Sequence, residues 1–329
     1  MYRLVAISLS ILLTASVAFT VSAATGWQAK VDTSVVKAVT LGSADFLVYL
    51  HDKADLSNAK RLPTKRAKGI ETFRQLTATA AASQAPLIDL LKTRKVKHRS
   101  FWVTNAVVVY GGDLDLLRTI ASRGDVANVF AIGKGRLHEP VERGVSTIRS
   151  PNAVSGVTAV EPSLNHVKAS QAWALGYKGQ GVVVAGADTG VRWTHRAIKN
   201  QYRGFDPATG TADHNYNWRD AWAGVNSVCP LNSTVPCDDN DHGTHTVGTI
   251  VGDDGGANQI GVAPEAEWIA CKNMAEGWGV VPTYMDCMQW FIAPTDLAGN
   301  NPDPTKSPDV VNNSWGCVEV CAPPPSAVR

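Results

Sequence analysis

No cysteine occurs before Cys229, and the six present (Cys229, Cys237, Cys271, Cys287, Cys317 and Cys321) form no paired C-x-x-C knuckles. That spacing argues against a structural zinc site. An even cysteine count suits disulfides in an exported chain, although six cysteines allow 15 connectivities. Neighbour pairing is the simplest expectation: Cys229 with Cys237, Cys271 with Cys287, Cys317 with Cys321. Charge is also sparse, with 18% charged residues and a formal net charge of +2. No basic cluster of the kind that grips nucleic acid is present. The Lys/Arg-rich stretch from Lys60 to Arg99 and the acidic one from Asp238 to Asp254 both read as solvated surface. No histidine pair has the glutamate of H-E-x-x-H, which excludes that route to a zinc peptidase. Internal repeats are lacking, and beyond the N-terminal stretch no run is apolar enough to cross a bilayer.

What is present is globular: 44% hydrophobic residues in 329, enough for two domains behind a leader. Arg3 precedes an apolar run from Leu4 to Val21 that hydroxyl residues dilute, and Val21-Ser22-Ala23 offers small residues for cleavage. Residues 1–23 therefore read as a signal peptide, the chain as secreted, and the mature protein as free of the membrane. An uncleaved anchor fits less well, because the run is marginal in length.

Three blocks follow. In 36–132, Asp45 to His51 reads as a strand and Lys65 to Lys92 as a long helix that Pro86 should break in two. Phe101 to Tyr110 is β-rich, Asp113 is placed to cap a helix over Leu114 to Ser122, and Val126 to Ile132 reads as a closing strand. The order is βαββαβ, a small α+β, ferredoxin-like sandwich. Residues 133–164 carry Gly, Ser, Thr and Pro without a period and read as a linker. From 165 to 329, buried apolar runs (Val182 to Ala187, Trp268 to Cys271, Val310 to Val311) alternate with helical stretches such as Thr283 to Ile292. That alternation predicts an α/β domain with a doubly wound parallel sheet.

Two residues carry chemistry. Asp188 lies in Asp188-Thr189-Gly190, where a buried strand stops, and ligands of open α/β sheets bind beyond such ends. A carboxylate there needs a partner, and an imidazolium suits it. His242 opens the helical run Asp241-His242-Gly243-Thr244-His245-Thr246-Val247-Gly248. Histidine titrates near neutrality and suits proton shuttling. Gly243 permits close backbone approach, and His245 reads as structural. Asp-Thr-Gly also occurs in aspartic proteases, but those need a second copy and leave the histidine motif unexplained.

These motifs together resemble the subtilases, the subtilisin-like serine proteases, whose triad runs Asp, His, Ser along the chain. Gly261-Val262-Ala263-Pro264 and Val311-Asn312-Asn313-Ser314-Trp315-Gly316 agree with that family. Trp268 to Cys271, Ala293 to Leu297 and Asn301 to Pro304 are similar to bacillopeptidase F-like members. The resemblance implies that Asp188 orients His242, that His242 is the general base of a secreted endopeptidase acting on polypeptides through an acyl-enzyme, and that Ser314, Trp315 and Gly316 line the substrate. It further implies that 36–132 is an inhibitor-type propeptide bound within the same molecule, with processing between Leu137 and Leu164. No cofactor is required. Calcium is an added expectation, with Asp238, Asp239 or Asp241 as ligands. No Gly-Thr-Ser-Met-Ala-like motif occurs, so the peptidase domain reads as incomplete and the chain as inactive alone. In subtilisin, loss of the nucleophile lowers kcat about 2 × 10⁶-fold. The alternative is a pseudoenzyme, or an inhibitor or chaperone of another subtilase.

Overall fold

The computed structural model describes residues 26–137, 159–224, 228–255 and 258–317. The expected signal peptide, most of the expected linker, and Cys321 with its expected bond to Cys317 lie outside the described residues.

Helix α1 (Thr33–Thr40) starts at Asp32, whose carboxylate accepts from Ser34 N, and leads into β1 (Ala44–Leu50). Thr64 caps α2 (Lys65–Thr93) by accepting from Ala67 N. A hairpin of β2 (His98–Phe101) and β3 (Ala106–Gly112) follows. Asp113 then caps α3 (Leu114–Ala121) through Leu116 N, the position its side chain predicts. Strand β4 (Val126–Ala131) completes an antiparallel sheet of order β2-β3-β1-β4. The period of two along the strands divides their side chains. Phe46, Val48, Val107 and Val109 face the helices, against Leu87 and Leu117. Leu47, Phe101 and Val108 fall on the other face, where Met285 covers them. The expected break at Pro86 is absent, and α2 runs through it. Proline leaves the carbonyl four residues back, on Ala82, without its helical donor, and Ala82 is exposed, where solvent can serve it.

The second half is built on a parallel sheet. Its strands are β6 (Val183–Asp188), β7 (Trp218–Asp220), β8 (Glu267–Lys272) and β10 (Val310–Asn312), in the order β7-β8-β6-β10. Each neighbouring pair is parallel. Helix α4 (His242–Val251) covers one face, with Val247 and Val251 against Val184, Trp268 and Ala270. Helix α5 (Val281–Ile292) covers the other, with Cys287, Trp290 and Phe291 against Ala185, Ile269 and Cys271. Both faces of β6 and β8 are buried, which is why these two central strands read as apolar runs. Each fully buried valine contributes about 1.5–3 kcal/mol. Among the described residues two disulfides are present: Cys271–Cys287 joins β8 to α5 at a Cα separation of 5.6 Å, and Cys229–Cys237 closes the loop before α4 at 5.7 Å.

The two halves meet across α5. Arg99 pairs with Asp286 at 2.8 Å, and Arg219 reaches the same carboxylate at 3.0 Å. Gln289 Oε1 accepts from Trp102 N, and Lys65 pairs with Asp309 at 2.7 Å. The start of the expected linker is not loose. Strand β5 (Lys134–Arg136) lies between β9 (Trp278–Val280) and β11 (Gly316–Cys317), antiparallel to both. Lys-Gly-Arg has no apolar alternation to betray a strand. The pairing is made by its backbone, which composition does not reveal.

Candidate active site

Strand β6 ends at Asp188, and the N-terminus of α4 brings His242 to it. His242 Nδ1 and Asp188 Oδ1 are 2.7 Å apart, with Asp188 1% exposed and the His242 side chain 20% exposed. Thr189 N donates to the same Asp188 oxygen at 2.7 Å, and Thr246 Oγ1 donates to the other at 3.3 Å. The carboxylate is thus fixed on both oxygens, and Nδ1 is the nitrogen it engages. Nε2 is left outside this hydrogen bond. The hydrogen bond that the His242 ring donates to Asp188 raises the His242 pKa above its ordinary 6.5, and the charges of Asp188 and Asp238 add to that against the opposing effect of burial. Asp188 therefore faces an imidazole and not a second carboxylate, as an aspartic protease would require.

The approach depends on two glycines. Gly190 has a φ of +106°, and a Cβ on Gly243 would collide with Gly190 O and come within 3.1 Å of Asp188 Cβ. Any side chain at 243 would push α4 away from β6. His245, one turn on, is exposed.

The acidic loop before His242 corrects the solvated-surface expectation. Asp238 is buried and performs the capping of α4. Its Oδ2 accepts from Thr244 N at 2.8 Å, and its Oδ1 accepts from Asn240 N and Asp241 N, each at 3.1 Å. A carboxylate at a helix N-terminus satisfies donors that otherwise lack partners. Thr189 Oγ1 donates to Asp238 at 2.7 Å and accepts from Gly243 N at 3.0 Å, which ties the cap to the Asp188 turn. Asp239 is paired with Lys272 at 2.7 Å, deep in the protein. Lys272 Nζ also donates to Thr189 O and Met274 O. These two aspartates are committed to protein donors. Among the described residues, no group of three or more His, Cys, Asp or Glu side chains is placed to hold a metal.

Beside the pair runs the groove that holds β5. Gly316 pairs with Arg136, and Gly279 with Gly135. Leu137 N donates to Gly277 O at 3.0 Å. Asp239 Oδ1 accepts from Glu276 N at 3.1 Å, so the loop that leads to His242 is joined to the groove wall. Of the expected lining residues, Gly316 pairs with the inserted strand through its backbone. Trp315 stacks on Tyr284 with centroids 3.9 Å apart, and its Nε1 donates to Ala187 O at 3.0 Å. The Ser314 hydroxyl is engaged with Asn312 at the end of β10. Among the described residues, no serine hydroxyl is hydrogen-bonded to His242.

Sequence reasoning does not find Lys272 or Tyr284, and it gives Thr189 and Asp238 neither the hydrogen bonds nor the capping they make here. Asp238 stands just before a helix start, which is a readable capping signal. Lys272 ends an apolar run and reads as a strand terminus, so nothing in the sequence marks it as buried.

Residues 179–327 match the subtilase family. Bacillopeptidase F of Bacillus subtilis is 35% identical over 291 residues, which is 82% of this chain and 20% of that protein. The minor extracellular protease Vpr of the same organism is 33% identical over 131 residues, 39% of this chain and 14% of that protein. Among solved structures, fervidolysin from Fervidobacterium pennivorans, a keratinolytic enzyme related to subtilisin, aligns at a TM-score of 0.43 with 17% identity, over 83% of this chain and 36% of that one. The chain thus spans about a fifth of the length of bacillopeptidase F. No helix among the described residues is long and apolar enough to cross a membrane.

Proposed function

The chain carries a subtilase-family domain across residues 179–327, and on that premise we propose that it is the acid–base half of a secreted serine endopeptidase, held in a zymogen form. The observation that carries this reading is the Asp188–His242 pair at 2.7 Å beside a groove that already binds an extended peptide segment. Asp188 fixes the imidazole by its Nδ1 and stabilises the cation that forms when Nε2 takes a proton. His242 Nε2 removes the proton from a serine hydroxyl as that oxygen attacks the peptide carbonyl, then delivers it to the leaving amine. Water repeats the sequence on the acyl-enzyme. In this reading the serine lies outside the described residues, a placement supported by the engagement of Ser314 with Asn312 and by the lack of a serine hydroxyl on His242 among the described residues. No cofactor is needed for these steps.

Residues 36–132 act, in this reading, as an inhibitor-type propeptide. Two features support it: the sheet face that packs on α5 through Met285, and the tail 134–137 that pairs with both groove walls. A substrate would pair the same way, adding a strand between Trp278–Val280 and Gly316. Processing after Leu137 and export by the leader at 1–23 complete the zymogen account.

Fluorophosphonate labelling tests it. The 329-residue chain is expected to stay unlabelled and to hydrolyse no peptide, while a natural gene product that continues through a Gly-Thr-Ser-type segment is expected to do both after release of 36–132. A continued product that carries the segment, loses the first block and remains unlabelled would contradict the reading.

A further inference from the structure

The inserted strand β5 meets one side chain that a longer substrate would also meet. Tyr284, in the first turn of α5, is 6% exposed, and its phenol lies over the paired glycines Gly135 and Gly279. A Cβ added at Gly135 would fall inside contact distance of Tyr284 Oη and 2.9 Å from its Cζ. A Cβ at Gly279, on the facing wall, would lie 2.6 Å from the same Cζ. Gly135 does not have a left-handed φ. The backbone would accept any residue there, and what demands glycine is the phenol.

The ring is not free to swing aside. It stacks on Trp315 with planes 13° apart, and Trp315 is anchored by its hydrogen bond to Ala187 O. Tyr284 Oη is buried without a hydrogen-bond partner among the described residues, where packing directs the hydroxyl at the groove. Leu137, two residues on, packs instead into a small apolar recess with Met274, Tyr284 and Trp315. The walls therefore offer one position with no room for a side chain and, two residues later, one with room for an aliphatic group.

We propose that Tyr284 makes this groove selective for extended peptides with glycine at the position of Gly135 and an aliphatic residue at the position of Leu137. The selectivity rests on the reading of the groove as the substrate path.

Hydrogen exchange on the full chain tests it. Gly135→Ala is expected to speed exchange of the amides in Lys134–Arg136 and Trp278–Val280 about tenfold or more, as overpacking at a closed contact does. In Tyr284→Ala the same substitution is expected to change little. That double variant also separates a local clash from a general folding defect, since removing Tyr284 rescues only the clash. A blocked Lys-Gly-Arg-Leu peptide added to the Gly135→Ala chain is expected to restore protection of Trp278–Val280. Lys-Ala-Arg-Leu is expected to do so only when Tyr284 is also alanine. Equal effects of Gly135→Ala in both backgrounds, or equal protection by both peptides, would overturn the selectivity. Coupling between Gly135 and Tyr284 with no protection by either peptide leaves the clash in place and overturns the substrate-path reading instead.

Discussion

Removing the ammonium of Lys272 should damage the protein far more than its place at a strand end suggests. Lys272 is 0% exposed, and its three donors are matched by Thr189 O at 2.7 Å, Met274 O at 2.6 Å and Asp239 Oδ2 at 2.7 Å. Lys272→Met keeps the stem and its packing but takes the ammonium away from the Asp239 carboxylate and from two carbonyls in the interior. Breaking a buried ion pair by removing one member costs about 3–5 kcal/mol. Against a typical stability of about 5–15 kcal/mol, that is a large fraction of the whole. Urea denaturation of the full chain measures it as a shift in midpoint at unchanged slope. Lys272→Met/Asp239→Asn removes both charges and keeps the acceptor for Glu276 N, so it is expected to be at least about 1 kcal/mol more stable than Lys272→Met alone. A cost below about 1 kcal/mol for Lys272→Met, or a double variant less stable than the single one, would refute the buried-pair account.

Other outcomes follow from the same geometry. Asp188→Asn removes the main cause of the raised His242 pKa, so the ring should titrate lower by NMR, at or below 6.5, because burial then opposes only Asp238. The sign for stability is fixed by the same shift: protonated His242 stabilises the fold below pH 6.5, and that contribution is lost as pH rises through the higher folded value. Stability that is flat across this window in the wild type would contradict it. Replacing Cys271 and Cys287 by serine opens a loop with a sequence separation of 16 and is expected to cost about 3 kcal/mol in thermal or urea melts. Asp286→Ala leaves Arg99 and Arg219 without their shared carboxylate, and limited proteolysis is expected to release 36–132 sooner. Unchanged cleavage kinetics would show that docking does not depend on that pair.

Much of this was readable in the residues, because regular burial leaves a period. The strand–helix alternation after Asn165, the Asp113 cap and the two described disulfides follow from local pattern. The meeting of Asp188 and His242 follows from the resemblance to the subtilases and not from local pattern, which only places one at a strand end and the other at a helix start. What was not readable depends on long-range contact. Pro86 continues its helix because the carbonyl it frees is on the solvent side. Asp238 and Asp239 look like surface charge until the partners that bury them, the start of α4 and Lys272, are in place. Lys134 to Arg136 has no strand pattern at all, and only its pairing with two distant segments makes it one.

The central claim is that His242, held by Asp188, moves the proton in peptide hydrolysis, and kinetics of the natural gene product test it most directly. His242→Ala is expected to lower kcat about 10⁶-fold, with KM nearly unchanged, and Asp188→Asn about 10⁴-fold. Peptide hydrolysis that survives His242→Ala at a comparable rate would contradict the account.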